Sequence, residues 1–347
     1  MITELKTLAD GLPKREKEIF NRIFRVYVSE SRLRYPKSME EWIKKRWKPE
    51  SVVRQRIVRV ENKITNESSL FNELRSKRPV RKYNACIKIK PSKECPFCNP
   101  EKFTPEDTFG RVRGKYCVTA SNIAKYDSIH ALVIFRSHNP YSFDEEKVSD
   151  YLNTAMEWFK LANREHKRAI YPYIMWNCLW RSGATLDHGH MQIILTSKKY
   201  YKAEKMEKDA KRYERRYGTK YWDDLYRVSK SLGLGFEFKG VKVFESLTPF
   251  RDKETVIYAR SFNKKFKEAV AKVLKSFYKI GVRSFNLFIY LPKLGENDRV
   301  IAKFLDRGDL SHKNSDVGAM EIFATPVISD DPFKVAEKLT LTFHKYL

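Results

Sequence analysis

The chain has 347 residues, 42% of them hydrophobic and 14% aromatic, with 69 Lys and Arg against 43 Asp and Glu and a formal net charge of +26. That length buries the core of two domains or of one large duplicated one, and the composition excludes a disordered, low-complexity chain. The charge favours anionic partners such as nucleotides, phosphorylated sugars or nucleic acid, while the mixing of both signs along the chain also suits a solvated surface.

The start, MITELKTLADGLPKREKE, lacks the apolar core of a signal peptide, and no apolar run approaches the roughly 18 residues of a membrane span, so a cytoplasmic location is expected. Residues 1–55 alternate charged with periodic apolar positions, as in EKEIFNRIFRVYV and MEEWIKKRW, and read as a helical N-terminal extension. From residue 56 the pattern turns strand-like, with KYCVTA, HALVIF, YPYIMW and HMQIIL rich in β-branched and aromatic residues. Between the second and third runs, EEKVSDYLNTAMEWFKLANREHK has helical spacing. Residues 201–234 form a polar linker, helical where YYKAEKMEKDAKRYERRYG runs and closed by LGLGF. Residues 235–347 repeat the earlier layout: strands in VKVFESL and ETVIYAR, the helix NKKFKEAVAKVLKSFYKIG, then the strand SFNLFIYLP. VGAMEIFATPV and DDPFKVAEKLT read as a last strand and a closing helix. An order of strands and helix that recurs in this way points to a duplicated α+β unit.

Five cysteines, an odd number with one close pair, argue for reduced thiols rather than a disulfide framework. In the close pair, Cys95-Pro96-Phe97-Cys98, a turn presents two thiolates to one soft cation, which is half of a tetrahedral zinc site. Three histidines downstream, His130, His138 and His188, are candidates for the remaining ligands. In the stretch LDHGHMQII, residues 186–194, an extended backbone would turn His188, His190 and Gln192 to one face. Just before it, Asn177, Arg181, Ser182, Gly183 and Thr185 supply an amide, a guanidinium, two hydroxyls and a glycine turn, a plausible approach for a phosphate.

Taken together, Asn177, Ser182-Gly183-Ala184-Thr185, His188, His190, Gln192 and CPFC resemble the active-site signature of the galactose-1-phosphate uridylyltransferase family, the transferase branch of the histidine-triad superfamily. NKITNESSLFNELRSKRP resembles the start of that family. The resemblance implies an α+β fold of duplicated histidine-triad-like units, each an antiparallel sheet with packed helices. Residues 56–200 would be the catalytic half and 235–347 a degenerate second half. It further implies a nucleotidyltransferase that takes nucleotide-sugar and sugar-phosphate substrates and often pairs as a homodimer. His190 is the implied nucleophile. Its Nδ1 proton would rest on the His188 carbonyl, with Gly189 giving the backbone freedom to reach back, and Gln192 would bind a phosphoryl oxygen. Arg75, Arg78, Asn122, Asn177, Ser182, Gly183 and Thr185 match nucleotide and phosphate contacts.

By the same resemblance Cys95, Cys98, His138 and His188 form a structural Cys2His2 site for about one zinc per chain, with His130, inside a strand, the competing ligand. SFNLFIYLP lacks the histidines that hold a second metal in some members, so no iron site is expected. The sequence departs from the family at Trp176 and at Leu186-Asp187, and the hexose-contacting tyrosine and glutamine have no counterparts near VGAMEIFATPV. The leading expectation is transfer between UDP-glucose and galactose 1-phosphate. The alternatives are an ADP-glucose or dinucleoside polyphosphate phosphorylase and, from another class, a nucleic-acid-binding protein on this fold. The intact histidines and Gln192 count against the last.

Overall fold

In a computed structural model, which describes residues 1–77, 89–312 and 319–345, the period-two runs form strands of two sheets. The smaller sheet has the order β1-β2-β3-β13, from β1 (Phe24–Arg32), β2 (Arg54–Asn62), β3 (Ser68–Phe71) and β13 (Val327–Ile328). The larger is built from β4 (Cys117–Ser121), β5 (His130–Phe135), β6 (Tyr171–Cys178), β7 (His190–Thr196), β8 (Gly235–Phe238), β9 (Val241–Glu245), β10 (Thr255–Ala259), β11 (Phe285–Tyr290) and β12 (Val300–Asp306). Its order, β4-β5-β7-β6-β11-β12-β10-β9-β8, is antiparallel throughout. Helices of ten residues or more are α1 (Lys14–Ile23), α2 (Glu145–Glu165), α3 (Tyr201–Tyr217), α4 (Tyr221–Ser231), α5 (Lys264–Lys279) and α6 (Pro332–His344). No helix among the described residues is long and apolar enough to cross a membrane.

The duplication is visible in the larger sheet. β4, β5, α2, β6 and β7 follow the same order as β9, β10, α5, β11 and β12, and the two units join through the β6–β11 pairing into one continuous sheet. Alternation then sorts the side chains. Ala131, Val133, Phe135, Met191 and Ile193 fall in one buried cluster with Val148, Tyr151, Leu152, Ala155, Trp158 and Phe159 of α2, whose three- and four-residue spacing builds the matching stripe. The Asp144 side chain caps α2 by accepting the Lys147 N–H at 2.8 Å. On the opposite face, Tyr173, Tyr290, Ile301, Val256 and Tyr258 are covered by α1, α4 and the smaller sheet. The β4-β5-β7 end of that same face is left to Ala120, Leu132, Ile134 and Phe97, and the polar residues of β7 emerge there.

Three sequence expectations change. The N-terminal extension is only partly helical, because α1 ends at Ile23 and residues 24–32 form β1, with Val26 opposite Val60 and Val28 opposite Val58. β-branched pairing across two strands outweighs the helical periodicity there. In VGAMEIFATPV the described residues form a short helix at Met320–Phe323 and only a two-residue strand, β13. The strand β12, unassigned from sequence, completes the second unit.

Candidate active site

β7 begins at His190, so His188 lies in the turn before the strand rather than on its face. The two imidazoles are therefore turned to different tasks. His188 Nε2 lies 2.7 Å from the Phe135 carbonyl, which fixes the proton on that nitrogen and leaves Nδ1 as a free lone pair. His190 Nδ1 lies 2.8 Å from the His188 carbonyl, so the opposite nitrogen, Nε2, carries its lone pair. Burial holds the His190 pKa below the usual imidazole range. Gly189 between them is there for space, not for backbone freedom. It is absent from the positive-φ positions, and a Cβ on it would meet the Phe135 ring at 2.5 Å.

Cys95, Cys98, His138 and His188 bring four donor atoms within 4.8 Å of one another, a group able to hold a metal ion. The Cys98 sulfur is 3.1 Å from His138 Nδ1 and 3.7 Å from His188 Nδ1, and the Cys95 sulfur is 3.6 Å from His188 Nδ1. Tetrahedral zinc with Zn–S of about 2.3 Å and Zn–N of about 2.0–2.1 Å separates sulfur from nitrogen by about 3.6 Å, so the donor set fits that ion. Phe97, between the two cysteines, sets its ring edge-on to both imidazoles, with centroids 5.8 Å from His188 and 5.2 Å from His190. The metal group and His190 thus share one aromatic neighbour, which was not singled out from sequence although it lies inside the motif.

Gln192 follows His190 on the same face of β7, since Gln192 pairs with Leu132 and His190 with Ile134. Its side-chain oxygen is 3.1 Å from His130 Nε2 and its nitrogen donates to the Tyr126 hydroxyl at 3.2 Å. His130 is therefore a neighbour of Gln192 and not part of the metal group. The Asn122 side chain reaches the same ring, with Nδ2 3.4 Å from His130 Nε2, while its oxygen closes the turn on the Ala124 N–H.

The segment after β6 is a strained turn. Leu179, buried, has φ +66°, a region that favours glycine and costs other residues about 1–3 kcal/mol. The Leu179 carbonyl accepts from the Ser182 N–H, the Ala184 N–H and the Ser182 hydroxyl, the last at 2.7 Å, so that hydroxyl serves the turn. Gly183, at φ +93°, ends it and Thr185 is exposed. Asn177 is held from the second unit: Asn286 Nδ2 donates to the Asn177 side-chain oxygen at 2.7 Å and to the Ser182 carbonyl at 2.9 Å, and Arg307 donates to Asn286 in turn. Arg181 donates to the carbonyls of Arg307 and His312. A polar Asn inside the apolar run SFNLFIYLP was the available sequence signal for Asn286. Arg75 lines a different cleft, of about 350 Å³, with Trp42, Trp47 and Gln55, and Arg78 lies outside the described residues.

No protein-family model and no curated protein matches the chain. Solved structures do. An ADP-glucose phosphorylase from Arabidopsis thaliana with bound ADP-glucose is similar at a TM-score of 0.59 and 16% identity, covering 80% of this chain and 95% of that one. A solved uridylyltransferase is similar at a TM-score of 0.58 and 15% identity, covering 83% of this chain and 98% of that one. A galt-like protein, also from Arabidopsis thaliana, gives 0.58 and 16%, covering 80% and 97%. At such identities the likeness is one of fold, and the chain shares that α+β fold over most of its length.

Proposed function

We propose that the protein is a nucleotidyltransferase working by double displacement through a covalent nucleotidyl-His190, with UDP-glucose and galactose 1-phosphate as the substrate pair. The observation that carries this reading is the buried His190 ring, its Nδ1 held on the His188 carbonyl at 2.8 Å, which leaves Nε2 its lone pair, with Gln192 next on the same face of β7. In the first half-reaction Nε2 attacks the α-phosphorus of the nucleotide sugar. The P–N bond forms as the bond from phosphorus to the bridging oxygen breaks, and the hexose phosphate leaves with that electron pair. The Nδ1 proton stays on the ring, where the His188 carbonyl stabilises the positive charge that develops. A phosphate oxygen of the second substrate then attacks the same phosphorus and returns His190 to its neutral form. Gln192 donates an N–H to a non-bridging oxygen and, as an amide, does not deliver water's proton, which favours transfer over hydrolysis.

Zinc is the ion we assign to the Cys95, Cys98, His138 and His188 group. Four protein donors leave it no open position, so it would be structural, holding the CPFC turn and its Phe97 against His190. A second reading, adenylyl transfer from ADP-glucose to orthophosphate, uses the same residues and is favoured by the fold's likeness to an ADP-glucose phosphorylase. Intact-mass measurement after separate incubation with UDP-glucose, ADP-glucose and a dinucleoside polyphosphate distinguishes them. A uridylyl adduct lost in His190→Ala supports the first reading and an adenylyl adduct the second. No adduct with any of the three, together with tight, steeply salt-dependent polynucleotide binding, overturns both.

A further inference from the structure

His130 has no part in the metal group and does not reach His190, yet it is wholly buried with both ring nitrogens engaged. Its Nδ1 lies 2.9 Å from the backbone N–H of Tyr126. A backbone amide only donates, so Nδ1 is the unprotonated nitrogen. Burial pushes the His130 pKa down to about 4, so the ring is neutral near pH 7 and its single proton sits on Nε2. That N–H needs an acceptor; the Asn122 oxygen is held by the Ala124 N–H and the Asn122 Nδ2, 3.4 Å away, is itself a donor, so the acceptor is the Gln192 oxygen at 3.1 Å, turned toward His130. The amide NH2 is thereby turned away from His130. One N–H goes to the Tyr126 hydroxyl at 3.2 Å, and the second is left to donate elsewhere. The Tyr126 ring also lies against the imidazole, centroids 4.7 Å apart, so one loop residue holds His130 by its backbone and by its ring.

We propose that His130 is a positioning residue that sets the sign of the Gln192 amide, presenting its second N–H and not its carbonyl to the phosphoryl group on His190. This rests on the nucleotidyl-transfer reading and adds to it a requirement outside the HxHxQ run. A Gln192 free to rotate presents either a donor or an acceptor. The acceptor orientation faces anionic phosphoryl oxygens with a lone pair, and re-orienting the amide during reaction forfeits the preorganisation that makes such donors effective. The sequence Tyr126 N–H to His130 to Gln192 fixes the orientation before substrate arrives.

Two substitutions separate this role from simple packing. His130→Asn keeps an acceptor for the Tyr126 N–H but is too short to donate to Gln192, whereas His130→Gln keeps a donor at the position of Nε2. Single-turnover formation of the nucleotidyl adduct should fall about ten- to a hundredfold in His130→Asn, with little change in KM, the scale of a weakened transition-state donor. His130→Gln should stay within about threefold of wild type. In a Gln192→Ala background the His130→Asn change should have no further effect, because the residue acts through the amide. Equal losses in His130→Asn and His130→Gln, or an undiminished loss in the Gln192→Ala background, would overturn the proposal. If the wild-type protein forms no adduct, the transfer reading fails first. Ring nitrogen NMR shifts then still test the orientation argument. Protonated Nε2 with unprotonated Nδ1 supports it and the reverse tautomer overturns it.

Discussion

Gly189→Ala tests whether the turn between the two histidines is built on contact distance. The new Cβ would lie 2.5 Å from Cδ2 and 3.1 Å from Cε2 of Phe135, and 3.2 Å from Cα of Pro140. Carbon atoms rest at about 3.5–4.0 Å, so the closest contact is short by about 1 Å. The ring cannot yield easily, because Phe135 stacks on Tyr151 at 3.8 Å and meets Trp176 edge-on at 4.9 Å, both of them buried. Overpacking of this kind costs about 1–3 kcal/mol, against about 0.4–1 kcal/mol gained by stiffening the unfolded chain, so the net effect is a loss of about 1–2 kcal/mol. At about 2–4 °C per kcal/mol in domains of 150–250 residues, the melting temperature of this longer chain should fall by a few degrees. The larger effect is on position. Gly189 is fixed by its N–H to the His138 carbonyl at 3.2 Å and by its carbonyl to the Phe135 N–H at 3.0 Å, so relief of the clash moves His188 and His190 together. A displacement of about 1 Å costs on the order of a hundredfold in rate. Thermal unfolding and single-turnover adduct formation read the two effects. An alanine variant with the wild-type melting temperature and adduct rate would refute the contact argument.

Metal analysis should find about one zinc per chain, and Cys98→Ser should lose it and slow adduct formation while the fold persists by circular dichroism. Full adduct formation in folded, metal-free protein would separate the metal group from His190 and contradict the link through Phe97. Glu245, wholly buried, has its pKa pushed up to about 8 by burial, with Glu254 adding repulsion and the Thr255 hydroxyl opposing it. Between about 4.5, the ordinary glutamate value, and 8 the native state keeps a proton that the unfolded state releases, so this group makes stability fall as pH rises through that window and level off above it. Denaturant midpoints of Glu245→Gln should lose that part of the slope, and an unchanged pH profile would show that Glu245 is ionised in the native state.

What could be read from the sequence was local. CPFC marks half of a donor group by its spacing, and SFNLFIYLP or EEKVSDYLNTAMEWFKLANREHK carry their elements in periodicity. The misread and missed features depend on partners distant in the chain. Phe24–Arg32 alternates no more clearly than it recurs at helical spacing, and β2 decides the matter by offering Val58 and Val60 across the ladder. His130 reads as a competing metal ligand until the Tyr126 N–H and Gln192 are seen to hold its two ring nitrogens. Gly189 suggests conformational freedom until Phe135 is seen to occupy the space a side chain would need.

The register also sets the row that holds Gln192 against its counterpart in the second unit. Gln192 pairs with Met175, Met175 with Phe288 and Phe288 with Lys303, so one row crosses the β6–β11 join and places Lys303 where the first unit has Gln192. Lys303 is ion-paired to Glu254 at 3.1 Å and to Glu67 at 3.5 Å. It is tied to the smaller sheet and, with Ile301 two residues earlier in the buried cluster beneath α4, belongs to a covered face rather than an open one. The second unit's polar residues act instead across the join. Asn286 holds Asn177 and the Ser182 carbonyl, and the carbonyls of Arg307 and His312 anchor Arg181. The strained Leu179 turn that leads to His188 is therefore stabilised from the second unit. With that face covered, the second unit's polar residues are placed to support the turn that precedes His188 and His190.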